Sequence, residues 1–184
     1  MALQLPTEVI FIGGRSGVGK SSVATEASHL LARADIRHAV IEGDNLDQAH
    51  PQPWHEGIDL AGRNLAAIWR NYRSIGYSRL IFTNTVSVLE IPSLSAALGG
   101  QVRSFGVLLT ATDETASQRL TQREVGTALD EHIGRSKLAA ARLDAASTAY
   151  RVRTDDRPLT DIAAEILQSA GWLPGTPIPG GDTF

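Results

Sequence analysis

The chain has 184 residues, of which 42% are hydrophobic and 20% charged, and its net charge is −3. At ~150 residues per domain this describes one domain, large enough to bury its own core. The acidic balance weighs against sequence-independent nucleic-acid binding, and the absence of cysteine excludes disulfides, thiol catalysis and cysteine-ligated metal centres.

No apolar run approaches the ~20 residues of a membrane span. The stretch from Met1 to Glu8 lacks the basic n-region of a secretory signal. The expected location is therefore the cytoplasm, with no membrane partner.

Residues 8–13 form a short apolar run of the kind found in buried parallel strands. A glycine-rich turn follows. Val23, Ala27, Leu30 and Leu31 then recur at helical spacing and predict a helix over 20–33. A second strand is expected at 37–43. Residues 44–58 carry three acids, two histidines, two prolines and a glycine, and read as a loop. Ala61, Leu65, Ile68, Tyr72 and Ile75 draw one apolar stripe along a long helix, which Gly76 ends. Strands are expected at 79–83 and 102–110, with a short helix over 90–98 between them. Thr112 and Asp113 are cap residues for a helix through Glu124. A further helix over 129–147, a strand at 149–153 and a helix at 159–170 close the pattern. Strands alternating with helices predict a mostly parallel five-stranded sheet with helices on both faces. The domain is expected to span 1–170. Residues 171–184, with four glycines and three prolines, read as an extension from which Trp172 packs back onto the body.

Gly14-Arg15-Ser16-Gly17-Val18-Gly19-Lys20-Ser21 fits G-x-x-x-x-G-K-[ST] at every fixed position, between a predicted strand and a predicted helix. Glycines let the backbone curl so that successive N–H groups face phosphate oxygens, and the helix N-terminus adds its positive end. The motif predicts that Lys20 bridges the β- and γ-phosphates of a bound nucleotide and that the Ser21 hydroxyl holds Mg²⁺. Gly14 to Ser22 form the nucleotide-binding set. The dinucleotide fingerprint fails, because Ser22 stands where its third glycine belongs.

On this motif and its flanks, residues 8–170 resemble the P-loop small-molecule kinases of the nucleoside-monophosphate-kinase type. The likeness is greatest to the adenylylsulfate kinase, gluconate kinase and chloramphenicol phosphotransferase branch. The resemblance implies a three-layer α/β P-loop NTPase fold, ATP and Mg²⁺ as cofactors, and a hydroxyl on a small molecule as phosphate acceptor. In Glu42-Gly43-Asp44-Asn45 the Gly-Asp pair matches the family's acceptor site, with Glu42 where adenylylsulfate kinases have aspartate. By resemblance, Asp44 orients or deprotonates the attacking hydroxyl, or joins the Mg²⁺ shell. Asn45 and Arg63 then contact substrate, Arg63 from the substrate-lining helix that also carries Arg70 and Arg73. Arg119 and Arg123 resemble lid arginines that neutralise transferring charge. Arg135 follows on the next helix, with the lid at about 123–135. The loop Thr154-Asp155-Asp156-Arg157-Pro158 lies where the family packs on adenine.

Asp47, His50, His55, Glu56 and Asp59 read as surface or pocket-lining side chains, without ligand spacing for a metal. Trp54 either stacks on a substrate ring or anchors the loop. Thr83-Asn84-Thr85 lacks the Walker-B acid, which disfavours a motor or switch ATPase, and no guanine-specifying Asn-Lys-x-Asp occurs. The alternative reading is a nucleotide-binding regulatory module with weak ATPase and no acceptor. A nucleic-acid end kinase is disfavoured by charge, and the identity of the acceptor and the oligomeric state are left open.

Overall fold

In a computed structural model of the chain, residues 5–122, 128–146 and 148–175 are described. Strand β1 (Thr7–Gly13) leads through the glycine-rich turn into helix α1 (Lys20–Arg33), then β2 (Ala39–Glu42). Two one-turn 3₁₀ helices, Gly43–Asn45 and Pro53–Glu56, interrupt the following loop before α2 (Leu60–Ser74) and β3 (Arg79–Thr83). A third such turn, Ser87–Leu89, precedes α3 (Ile91–Leu98) and β4 (Val102–Thr110). Helices α4 (Asp113–Thr121) and α5 (Ala128–Ala146), strand β5 (Tyr150–Arg153) and helix α6 (Leu159–Ser169) complete the order.

The five strands form one sheet in the order β2-β3-β1-β4-β5, and every pairing is parallel. Side-chain alternation along β1 divides the core in two. Ile10 and Ile12 face α1 and α6, whereas Val9 and Phe11 face α2 and α3. Leu143 of α5 packs with Val88 and Leu108. Both faces are thus covered by helices, the three-layer arrangement that strand-helix alternation predicts. Each such fully buried aliphatic side chain contributes roughly 1.5–3 kcal/mol.

The observed elements lie within a few residues of the expected ones. The stripe on α2 differs at its end. Ile75 is 64% exposed, because the helix stops at Ser74 and Gly76 (φ +91°) turns the chain away toward β3. Trp69 takes the inner position instead, buried, with its indole N–H donating to Thr7 Oγ1 at 3.1 Å. Trp172 does pack back: it is 4% exposed within the α1–α6 core. Among the described residues no helix is long and apolar enough to cross a membrane.

The parallel order places the carboxyl ends of β1, β2, β3, β4 and β5 along one edge. The glycine-rich turn, Gly43-Asp44, Asn84 and Thr154 all gather at that edge, where open α/β sheets hold ligands.

Candidate active site

The turn after β1 is shaped by close approach as much as by torsion. Gly14 and Gly17 have φ of +145° and +83°, and a Cβ on them would sit 2.7 Å from Leu109 O and 2.4 Å from Ala116 O. Only glycine passes both tests. Gly19, left-handed as well, caps α1 without a side-chain hydrogen bond to the first turn, and no acid stands in that turn. The positive end of α1 is therefore not neutralised by its own sequence. Lys20 Nζ curls back over the turn and donates to Gly14 O at 2.8 Å and Arg15 O at 3.3 Å. Ser21 is exposed and Ser22 half-buried. An uncapped helix start, a lysine across it and an exposed hydroxyl beside it fit a Mg²⁺-bound polyphosphate.

Three elements grip this turn from outside. The Ser16 carbonyl accepts from Ser136 Oγ of α5 at 2.8 Å. The Val18 carbonyl accepts from Thr154 Oγ1 at 3.1 Å and from Arg119 Nη1 of α4 at 3.2 Å. Arg119 also donates to Thr154 Oγ1 and to the Thr154 carbonyl, at 3.0 and 3.1 Å. The Arg15 side chain is 3% exposed. Its Nε donates to Ser136 Oγ at 2.9 Å and its Nη1 pairs with Asp113. That hydrogen bond from Arg15 is the main reason the Asp113 carboxyl is held below its ordinary value. Arg123 lies outside the described residues, as do the side chain of Arg135 and residues 123–127 of the lid expected at about 123–135.

Asp155 closes the same corner. Its Oδ1 accepts from the Thr112 N–H and hydroxyl at 3.0 and 3.2 Å, and its Oδ2 from Arg153 Nε at 2.9 Å. Burial works to raise this carboxyl, but the Thr112 amide, Thr115, Arg153 and the Thr112 hydroxyl outweigh it and hold the group well below the usual range. Thr112 caps α4, accepting from Thr115 N at 3.2 Å. Asp113 leaves capping to its neighbour and faces Arg15.

On the other side of β1, Gly43 lets β2 meet β3: a Cβ there would lie 2.6 Å from Phe82 Cζ. The next residue, Asp44, accepts from Asn84 Nδ2 at 3.2 Å. The amide orientation of Asn84 is fixed, because its Oδ1 already accepts from Val86 N at 3.0 Å. Asn84 N donates to Ile12 O at 3.2 Å, and Thr85 O accepts from Gly14 N at 3.1 Å. Residues 84–85 thus tie Asp44 to the start of the glycine-rich turn.

Asp44, Asn45 and Arg63 are exposed. Asn64, beside Arg63, donates to Leu46 O at 2.6 Å, which docks the start of α2 near the Asp44 turn. Arg70 and Arg73 lie toward the opposite end of that helix. Arg73 donates to Leu5 O at 2.5 Å and Tyr77 O at 3.3 Å, and Arg70 lines a groove with Leu5, Gly99 and Gln101, at the amino edge of the sheet. Asp59 is the N-cap of α2, bonded to Gly62 N at 2.8 Å. Trp54 is 53% exposed and edge-on to His55. Among the described residues no group of three or more acids or histidines is placed to hold a metal.

Sequence reasoning missed Asn84 and Ser136 as site residues, and took Thr154 and Asp155 only as part of the loop that the resemblance places against adenine, not as partners of Val18 and Thr112. These two stand just past the carboxyl end of a predicted strand, a position that marks them. Asn84 carried a signal as well, since it occupies the place of a missing acid. Nothing in the helical pattern singles out Ser136.

No family model matches the chain, and no curated protein sequence matches it. Solved structures do. A tunicamycin resistance protein from Deinococcus radiodurans superposes with a TM-score of 0.63 at 18% identity, over 93% of this chain and 99% of that one. A gluconokinase from Sinorhizobium meliloti gives 0.58 at 20% identity, over 89% and 91%. A shikimate kinase from Acinetobacter baumannii gives 0.55 at 17% identity, over 91% and 94%. The chain has the fold of the P-loop small-molecule kinases. The glycine-rich turn after β1 stands where that fold has its P-loop.

Proposed function

We propose that the chain is an ATP- and Mg²⁺-dependent kinase that phosphorylates a hydroxyl group of a small molecule. The observation that carries this reading is the pairing of two features at one sheet edge. A complete P-loop opens onto an uncapped helix start, and the Asp44 carboxylate is held beside it through Asn84 and Thr85. A phosphate cradle with a carboxylate next to it suits transfer to an acceptor, where a hydroxyl must be oriented and lose its proton.

In this reading the backbone from Gly14 to Ser22 binds the phosphates, and Lys20 leaves its own carbonyls to neutralise them. Ser21 would hold Mg²⁺, which would supply charge neutralisation on the transferring group. Asp44 either orients the acceptor hydroxyl and takes its proton or joins Ser21 in holding the Mg²⁺. Asn45 and Arg63, exposed beside it, contact the acceptor. Arg119, Arg123 and Arg135 belong to the lid side, and segment 123–135 is the lid of a domain spanning 1–170, with 171–184 as its extension. The Mg²⁺ assignment is supported by the Ser21 hydroxyl at the start of α1 and by the Asp44 carboxylate, which Asn84 holds.

The test is Mg²⁺-dependent ADP release from ATP across pooled acceptors: sugars, sugar acids, nucleosides, nucleotides, adenylylsulfate and antibiotics, with Lys20→Ala as control. Stimulation of the wild type by one pool, and not of the variant, is the expected result. Tight ATP binding with slow hydrolysis that no pool stimulates would instead favour a nucleotide-binding regulatory module.

A further inference from the structure

We infer that Ser136 and Thr154 are positioning residues of the P-loop, which hold two of its carbonyls outward and so turn the amides that follow them toward the phosphate side. The inference rests on the nucleotide-binding part of the reading above. A trans peptide is planar, so the C=O of one residue and the N–H of the next point to opposite sides. Ser136 holds the Ser16 carbonyl at 2.8 Å, which turns the Gly17 N–H away from α5. Thr154 and Arg119 hold the Val18 carbonyl at 3.1 and 3.2 Å, which turns the Gly19 N–H away from the β5–α6 loop.

The two anchors share one design. Each hydroxyl accepts from a guanidinium and donates to a loop carbonyl. Arg15 Nε donates to Ser136 Oγ at 2.9 Å, so the single proton of that hydroxyl goes to Ser16 O. Arg119 Nη1 donates to Thr154 Oγ1 at 3.0 Å. Of the two carbonyls within reach of the Thr154 hydroxyl, Val18 O at 3.1 Å is nearer than Thr110 O at 3.3 Å, which draws the Thr154 proton to Val18 O. A charged donor behind a hydroxyl polarises it and strengthens its outgoing bond. Both hydroxyl residues are 2% exposed, so water does not stand in for them. Such anchoring has a purpose in this loop. Gly14, Gly17 and Gly19 lose more freedom on ordering than any other residues would, and a loop ordered in advance binds its ligand more tightly.

The experiment measures ADP affinity by calorimetry without acceptor, beside melting temperature and steady-state kinetics. Thr154→Val keeps the shape and removes the proton; Ser136→Ala removes the second anchor independently. Each is expected to weaken ADP about tenfold and to raise KM for ATP similarly, with kcat within about threefold. Thr154→Ser, which restores the hydroxyl, is expected to return to within about twofold of wild type. Unchanged ADP affinity in folded Thr154→Val and Ser136→Ala, with only lowered melting temperatures, would reduce both residues to a packing role and overturn the inference. A wild type that binds ADP yet transfers to no acceptor overturns the kinase reading alone. A wild type that binds no ADP overturns both.

Discussion

At the proposed phosphate end of the site, Arg15, Ser136, Thr154 and Asp155 are all buried and their bonds cross as many as 136 residues of sequence. At the proposed acceptor end, Asp44, Asn45, Trp54 and Arg63 are exposed, and the Asp44 carboxylate has a single hydrogen bond among the described residues, from Asn84. The contrast follows from chemistry. A polyphosphate presents the same oxygens whatever the acceptor, so its cradle can be fixed by the core. An acceptor is met by side chains on a loop, and loops tolerate change without disturbing the layers beneath. The phosphate end therefore depends on the whole fold, and the acceptor end on a few exposed groups.

The largest effect expected from breaking this division is at Lys20. Lys20→Ala removes a positioned positive charge and lowers turnover by about 10²–10³-fold or more, with weaker ATP binding, measured by calorimetry beside kinetics. Next is Asn84→Asp. The new carboxylate sets one of its oxygens 3.2 Å from Asp44 Oδ1, and two like charges at that distance hold a proton to higher pH. A base acts when ionised, so the acid limb of kcat/KM moves upward. The variant is expected to lose most activity at the acid end of its pH profile and to recover as the pH rises, read as kcat/KM against pH.

A third change acts through stability. The Asp155 carboxyl is depressed in the folded chain, so its contribution is present in full above the unfolded value of about 3.9 and is lost as the pH falls below it. Asp155→Asn is expected to lower the melting temperature at pH 7 by about 3–6 °C. The gap to wild type is expected to narrow below about pH 4, as differential scanning calorimetry across pH would read. The smallest effect is at Arg70, on the amino edge of the sheet. Arg70→Ala is expected to change turnover by less than about twofold, in contrast to Arg63→Ala near the Asp44 turn, where KM for the acceptor rises.

Much of this was legible in sequence, for identifiable reasons. Helical spacing and apolar runs are local signals, so the strands and helices fall close to where they are expected. The P-loop is equally local, because backbone torsion and an adjacent helix start define it. Gly43-Asp44 stands out through its resemblance to the family's acceptor site and its place at the end of a predicted strand. The anchors are not local. Ser136 is one polar residue on a helix until α5 meets the loop at Ser16, and Arg15 reads as one more member of the nucleotide-binding run from Gly14 to Ser22 until Asp113 and Ser136 enclose its side chain. Ile75 shows the reverse failure: its spacing is right, but the helix has already ended there.

The most direct test of this division is Asp44→Ala, measured for both ATP affinity and turnover with a stimulating acceptor. The account predicts that kcat falls by about 10²–10⁴-fold while the Kd for ATP stays within about threefold, because in this reading the P-loop amides, Lys20 and Ser21 carry most of the nucleotide binding. An unchanged kcat would contradict the acceptor-side assignment, and an equal loss of ATP affinity would contradict the separation of the two ends.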